Sequence, residues 1–219
     1  MQEFHTTAPI TTVLDIPAGH VQFIAADRVD TLVEVSPADP AKGRDIKAAE
    51  QTAVTYADDV LRITAPTPSN QLFGPSGSLA ITVRMPAGSR IEGKAASVTF
   101  RGVGRFGDIT FEGAHRRIKI DEAVSIRLTA VEGDVEIGRL GGSAQIRTTR
   151  GDIRIAEAAR GTLVLRTQSG DISVASGSSA TLDARTDHGR VANGLKNDGV
   201  TELEVQATTS RGHITARGL

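Results

Sequence analysis

TTRGDIRIAEAARGTLVLRTQSGDISV, residues 148–174, contains the same phrase twice: Gly151-Asp152-Ile153 and Gly170-Asp171-Ile172. Working outward, the phrase recurs as Gly133-Asp134-Val135 and, earlier, Gly107-Asp108-Ile109. It decays to Gly189-Arg190-Val191 and Gly212-His213-Ile214. The glycines are spaced by 26, 18, 19, 19 and 23 residues. Self-similarity at a near-fixed period is the mark of a repeat architecture.

Positions counted from each glycine define two alternating tracks. Two after it stand Ile109, Val135, Ile153, Ile172, Val191 and Ile214; four after it stand Phe111, Ile137, Ile155, Val174, Asn193 and Ala216. Seven before the later glycines stand Ile126, Ala144, Leu163, Leu182 and Val205; five before stand Leu128, Ile146, Leu165, Ala184 and Ala207. Period-2 alternation puts each track on one face of a strand. Each repeat therefore supplies two short strands with Gly-Asp as the corner between them. Glycine reaches positive φ there, and aspartate can accept bonds from nearby backbone N–H groups.

A meander would make Gly-Asp a hairpin turn and run consecutive strands antiparallel. A solenoid would lay residue i beside residue i+19. Thr148, Thr167, Thr186 and Thr209 all stand three before a glycine, and Arg147, Arg166 and Arg185 stand four before. Like residues form ladders only if equivalent strands are neighbours, stacked ~4.8 Å apart. The fold class expected is therefore all-β: a β-solenoid (β-helix-like) of stacked two-strand coils at 93–219, with a less regular β-rich part at 1–92 capping the stack.

That first part reads as strands at 10–16, 20–25, 31–35, 52–56, 60–65 and 79–85. Pro17-Ala18-Gly19 and Pro86-Ala87-Gly88 form similar corners, and Asp58-Asp59 joins two strands. Residues 36–47 read as an exposed connection, with at most one helical turn at 47–51. Residues 66–78, PTPSNQLFGPSGS, exclude regular structure. Leu72 and Phe73 inside this loop either tuck onto the core or form an apolar tip for a partner.

Composition narrows the function classes. Of 219 residues, 39% are hydrophobic but only 3% aromatic, with no Trp, so Ile, Val, Leu and Ala are expected to build the core. Net charge is −1, which offers no global field for nucleic acid. Cysteine is absent, which removes disulfides and thiolate chemistry. No stretch approaches the ~20 apolar residues of a membrane span. Met1-Gln2-Glu3-Phe4-His5 has neither a basic nor an apolar run, so the expected location is cytoplasmic if Met1 is the native start, and the cell envelope otherwise.

The phrases TTRGDIRI (148–155), RTQSGDISV (166–174) and TSRGHITA (209–216), with ITVRMPAGSRIEGKAASVTFRGVG (81–104), resemble a bacterial β-strand-repeat family of unknown function often labelled putative adhesins. The resemblance runs from about residue 10 to the end. It implies the repeat fold and supplies no catalytic residues.

Candidate chemistry is sparse. Asp108, Asp134, Asp152 and Asp171 come once per repeat, too thinly for the six to eight oxygens of a calcium site, so turn-capping is expected. Arg147, Arg166 and Arg185 are expected outward, either as an ion-pair ladder or as an anion-binding stripe. His188 and His213 stand near one edge of the last coils, but two histidines do not make a zinc site. No GxSxG, HExxH or Walker loop is present. No catalytic residue, metal or cofactor is assigned. The expected function is a non-enzymatic scaffold or interaction protein with a protein partner or self-association. The rivals are a carbohydrate-active β-helix enzyme and a small-anion or metal-binding module. The last coil, ending at Leu219, is expected to be the open end of the stack: either a charge-protected edge or the face of a homodimer through the C-terminal coil.

Overall fold

The computed structural model describes residues 1–66, 77–114 and 117–219, so Leu72 and Phe73 lie outside the described residues. The chain divides into two compact units, Met1–His115 and Arg116–Leu219.

The first unit contains β1 (Gln2–His5), β2 (Thr11–Ala26), β3 (Asp30–Pro37), α1 (Gly43–Gln51), β4 (Ala53–Ala57), β5 (Val60–Thr64), β6 (Leu79–Pro86) and β7 (Arg90–Ala114). β2 is a whole coil, bent at Pro17-Ala18-Gly19. Its first half lies parallel between β5 and the start of β7, with Thr12 opposite both Leu61 and Ile91. Its second half lies between β6 and residues 98–104, with Val21 opposite Ile81 and Phe100. The first coil in sequence is thus the middle one of three. β3 runs antiparallel to β6, and β1 to β3. β4 and β5, the two strands joined through Asp58-Asp59, pair antiparallel as a hairpin, with Asp58 and Asp59 at φ 51° and 57°. Both tolerate this left-handed region better than most side chains. Phe4 of β1 and Tyr56 of β4 meet with ring centroids 5.4 Å apart.

Two expectations for this unit are corrected. Residues 43–51 form a nine-residue helix rather than an exposed connection with one turn. It lacks an apolar stripe, and a buried carboxylate anchors it instead: Asp45, 2% exposed, accepts the Ser78 N–H at 2.9 Å. Second, the core here is not purely aliphatic. Phe23, Phe100 and Phe111 form a spine with centroids 5.4 and 5.1 Å apart, all essentially buried. A Cβ at Gly93 would stand 2.4 Å from Phe111, so the glycine makes room for the ring. The few aromatics are concentrated, which an average over the chain conceals.

The second unit contains β8 (Arg117–Glu132), β9 (Asp134–Leu140), β10 (Ala144–Arg150), β11 (Ile153–Ala158), β12 (Gly161–Ser169), β13 (Ile172–Ser176), β14 (Ala180–His188), β15 (Val191–Gly194), β16 (Leu203–Arg211) and β17 (Ile214–Gly218). Among the described residues the strand pairings of this unit are parallel, as a solenoid requires and a meander forbids. One face runs β8–β10–β12–β16–β14 and the other β8–β9–β11–β13–β17–β15. The alternating tracks point into the space between the faces. Ile126, Leu128, Ile146, Ile153, Leu163, Leu165, Ile172, Val174, Val205 and Ile214 are all buried.

The order of the last coils corrects the expectation about the open end. The coil β16–β17 does not end the stack. It is inserted between β12–β13 and β14–β15: Leu163 faces Val205, which faces Leu182, and Ile172 faces Ile214, which faces Val191. The outermost coil is therefore β14–β15. Its inward positions show this, since Leu182 and Ala184 are half-buried while Val191 is 45% exposed and Asn193 is also exposed. The C-terminal coil therefore offers no free strand edge for the expected end-to-end contact, because both edges of β16 and β17 are already paired.

Candidate functional site

The corners are built by side chains that reach from one coil to the next. Asp134 Oδ1 accepts the Asp152 N–H at 3.0 Å, and Asp152 Oδ1 accepts the Asp171 N–H at 2.8 Å. Asp171 Oδ1 accepts the His213 N–H at 2.7 Å, and His213 Nδ1 accepts the Arg190 N–H at 3.1 Å. The aspartates cap corners as expected, but each caps its neighbour's. The threonine series does the reverse. Thr167, Thr209 and Thr186 donate from Oγ1 to the carbonyls of Gly151, Gly170 and Gly212 at 3.2, 3.0 and 2.9 Å. Glycine is needed where these corners touch: a Cβ at Gly212, φ +145°, would stand 2.0 Å from the Gly170 oxygen.

This assigns His213 a structural position in the aspartate row. His188 ends β14 opposite Arg211. Among the described residues, no three His, Cys, Asp or Glu side chains are placed to hold a metal ion.

The arginine series is split by the insertion. Arg147 and Arg166 are direct partners on adjacent strands, whereas Thr208 stands between Arg166 and Arg185. All three are exposed, as expected. Arg185 lies 3.9 Å from Asp187. Among the described residues neither Arg147 nor Arg166 makes an ion pair. Their column on the outer face is otherwise uncharged between Thr129 and Thr208. Other charged strand partners in this unit alternate in sign: Lys119–Glu136–Arg154, Glu122–Arg139–Glu157 and Glu132–Arg150. Arg117 and Arg139 reach Glu136 and Glu157 at 3.1 and 3.4 Å, and Arg150 reaches Glu132 at 3.2 Å. The Arg147–Arg166 pair is the exception among the described strand partners: two like charges standing opposite each other. Their backbones are held firmly, because Ile146 and Leu165 beside them are fully buried.

Arg127 is a further cation on this face, outward and opposite Gln145. It stands six before its glycine rather than four, so alignment of the repeats hides it. A groove of ≈ 630 Å³ elsewhere in the unit is lined by Glu122, Arg139, Arg160, Ser178 and Glu202. Its charges balance, so it offers no net field to a ligand.

The sequence model of the Toastrack DUF4097 family matches residues 11–217. Among solved structures, one described as a putative adhesin from Bacteroides fragilis NCTC 9343 superposes with a TM-score of 0.50 at 14% identity, covering 98% of this chain and 95% of that one. A putative cell adhesion protein from Clostridium sporogenes ATCC 15579 gives a TM-score of 0.35 at 12% identity, covering 100% and 98%. At 14% identity the likeness to the first of these speaks for the fold alone. No curated protein matches the chain. No helix among the described residues is long and apolar enough to cross a membrane.

Proposed function

We propose that this chain, which belongs to the Toastrack DUF4097 family, is a non-enzymatic interaction scaffold that engages a carboxylate-bearing protein partner through Arg147 and Arg166. The observation that carries this reading is the like-charged pair in register. Strand partners lie ~4.8 Å apart, and like charges directly opposite destabilise a sheet. A carboxylate between the two guanidiniums removes that repulsion and accepts hydrogen bonds from both. The planar guanidinium suits such two-point contact better than an ammonium would. The stacked coils supply rigidity, so little order has to be imposed on binding. Arg185, set apart by Thr208 and close to Asp187, lies outside this pair.

Adhesion is binding without turnover, which is the kind of activity named for the Bacteroides fragilis relative. By the same analogy we place the chain at the cell envelope. The test is fluorescence anisotropy with a labelled poly-glutamate peptide and a poly-glutamine control. Binding to poly-glutamate that weakens with salt and is lost in Arg147→Ser/Arg166→Ser is the expected result. Equal binding of both peptides, or binding unchanged in the double variant, overturns the reading.

A further inference from the structure

The outermost coil carries a strand edge of defined register, and we propose that β14 docks antiparallel on β14 of a second copy of this chain, centred on Ala184. This surface is separate from the Arg147–Arg166 pair, so the two readings stand or fall independently.

Among the described residues β14 is paired on one side only, with β16. In a parallel pair, alternate residues direct their backbone groups to opposite sides. The Leu203 N–H donates to the Ser179 carbonyl at 3.2 Å, so the odd-numbered residues of β14 bond toward β16. From Ala180 to Thr186 the even-numbered residues point to the open side; the alternation breaks at His188, whose carbonyl accepts the Gly212 N–H at 3.0 Å. The first of them, Ala180, has its N–H taken by the Lys196 carbonyl at 2.8 Å. Leu182, Ala184 and Thr186 follow with backbone donors and acceptors facing outward. β15 on the other face is likewise paired only with β17, and its residues are exposed.

Such an edge invites pairing, and charged side chains on it restrict which pairings are tolerated. In antiparallel self-pairing, outward residues must meet outward residues, so the two-fold axis passes through a residue and not between two. Centred on Asp183, the strands oppose Asp183 to its own copy. Centred on Arg185, they oppose Arg185 to itself and Asp183 to Asp187. Centred on Ala184, Asp183 of each copy faces Arg185 of the other, Leu182 faces Thr186, and Ala184 meets Ala184. Moving the centre to Leu182 needs Ala180, whose N–H is already bonded. Moving it to Thr186 takes Leu182 past His188, where β14 ends. Charge complementarity and the limits of the free edge together select one register. The contact is isologous, and an axis normal to the two faces brings β15 onto β15 at the same time. The half-buried Leu182 and the exposed Val191 are then covered.

The experiment is sedimentation velocity on the full chain, from low to high micromolar concentration. Wild type is expected to form a dimer. Asp183→Arg and Arg185→Asp each place like charges opposite one another twice, so each alone is expected to lose at least about tenfold in self-association. Mixed together, the two variants regain Arg-to-Asp contacts at every charged position and are expected to form a mixed dimer of wild-type strength. Thermal melts of both variants at dilute concentration confirm that the coil is folded. A wild type that stays monomeric over the whole range overturns the proposal. So does a dimer indifferent to either reversal, or a mixture that remains monomeric.

Discussion

Leu165 and Ala207 stand directly opposite one another on adjacent parallel strands, although Ala184 precedes Ala207 in the repeat. Ala184 lies on the far side of Ala207. The chain passes over one position in the stack, forms the outer coil, and returns to fill the gap. The first unit follows the same rule, with the coil of β2 enclosed between the two coils that follow it in sequence. In both units the coil nearest a chain end is held along both edges, so it cannot peel away singly.

Leu165 is fully buried between Ile146 and Ala207. Leu165→Ala should cost about 2–5 kcal/mol in urea unfolding. Neighbouring coils carry each other's stability, so amide exchange should quicken at Ile146 and Ala207 as well. A cost below about 1 kcal/mol would mean that the stack closes over the gap.

Thr215 lies between Ser173 and Ala192. Thr215→Pro removes a ladder donor from an enclosed strand and leaves an acceptor unmet, a loss of about 1–3 kcal/mol. The Ile214 N–H bonds toward β15, so the Thr215 N–H faces β13 and amide protection should fall first in 172–176. Unchanged protection there would contradict the pairing of β17 with β13.

His213 Nδ1 accepts the Arg190 N–H, which requires the neutral ring with its proton on Nε2. His213→Ala should speed exchange of the Arg190 amide by about 2–10-fold, the equivalent of one ordinary hydrogen bond. His213→Asp, which restores the residue used at the other corners, should keep the protection. Equal exchange in all three proteins would remove His213 from the corner row.

Asp198 sits in the connection that carries the chain back to the enclosed coil. The Ser179 hydroxyl, followed by the Val200 N–H, holds its carboxyl below the usual carboxylate range. A carboxyl depressed by folding stabilises the fold above its unfolded value, and that contribution is lost as pH falls through the depressed one. Acidification should therefore loosen residues 195–202 only below the pH at which ordinary carboxylates titrate. Ser179→Ala should raise the Asp198 value toward that range in a side-chain NMR titration. An unchanged titration would show that the hydroxyl does not hold the carboxylate.

Much of the local design was legible before any coordinates. Outside the outermost coil, where Leu182, Ala184, Val191 and Asn193 are half-buried or exposed, the two tracks name buried residues of the second unit, because a strand's side chains alternate with a period of two and a slip of one residue would expose Ile153, Leu165 and Ile172 together. The Asp series was legible as a corner device and the Thr series as a ladder between coils, though not that both bond from one coil's corner to the next. The helix at 43–51 was hidden because a single carboxylate, Asp45, anchors it rather than an apolar face. The Arg147–Arg166 pair was visible as a series of three, and only the stack reduced it to two.

The residue pattern alone sets the shape of each coil: two strands, a Gly-Asp corner, an aliphatic interior and outward arginines. The order in which the coils stack emerges only in the folded chain. Every coil presents the same backbone ladder and a similar apolar interior to its neighbours, so the repeat pattern fits any order almost equally well. What separates the orders is the reach of the connections, three residues from β13 to β14 but eight from β15 to β16. The longer one lets the chain step back past the coil it has just made, and the glycine spacing of 23 in place of 19 is its only trace in the sequence.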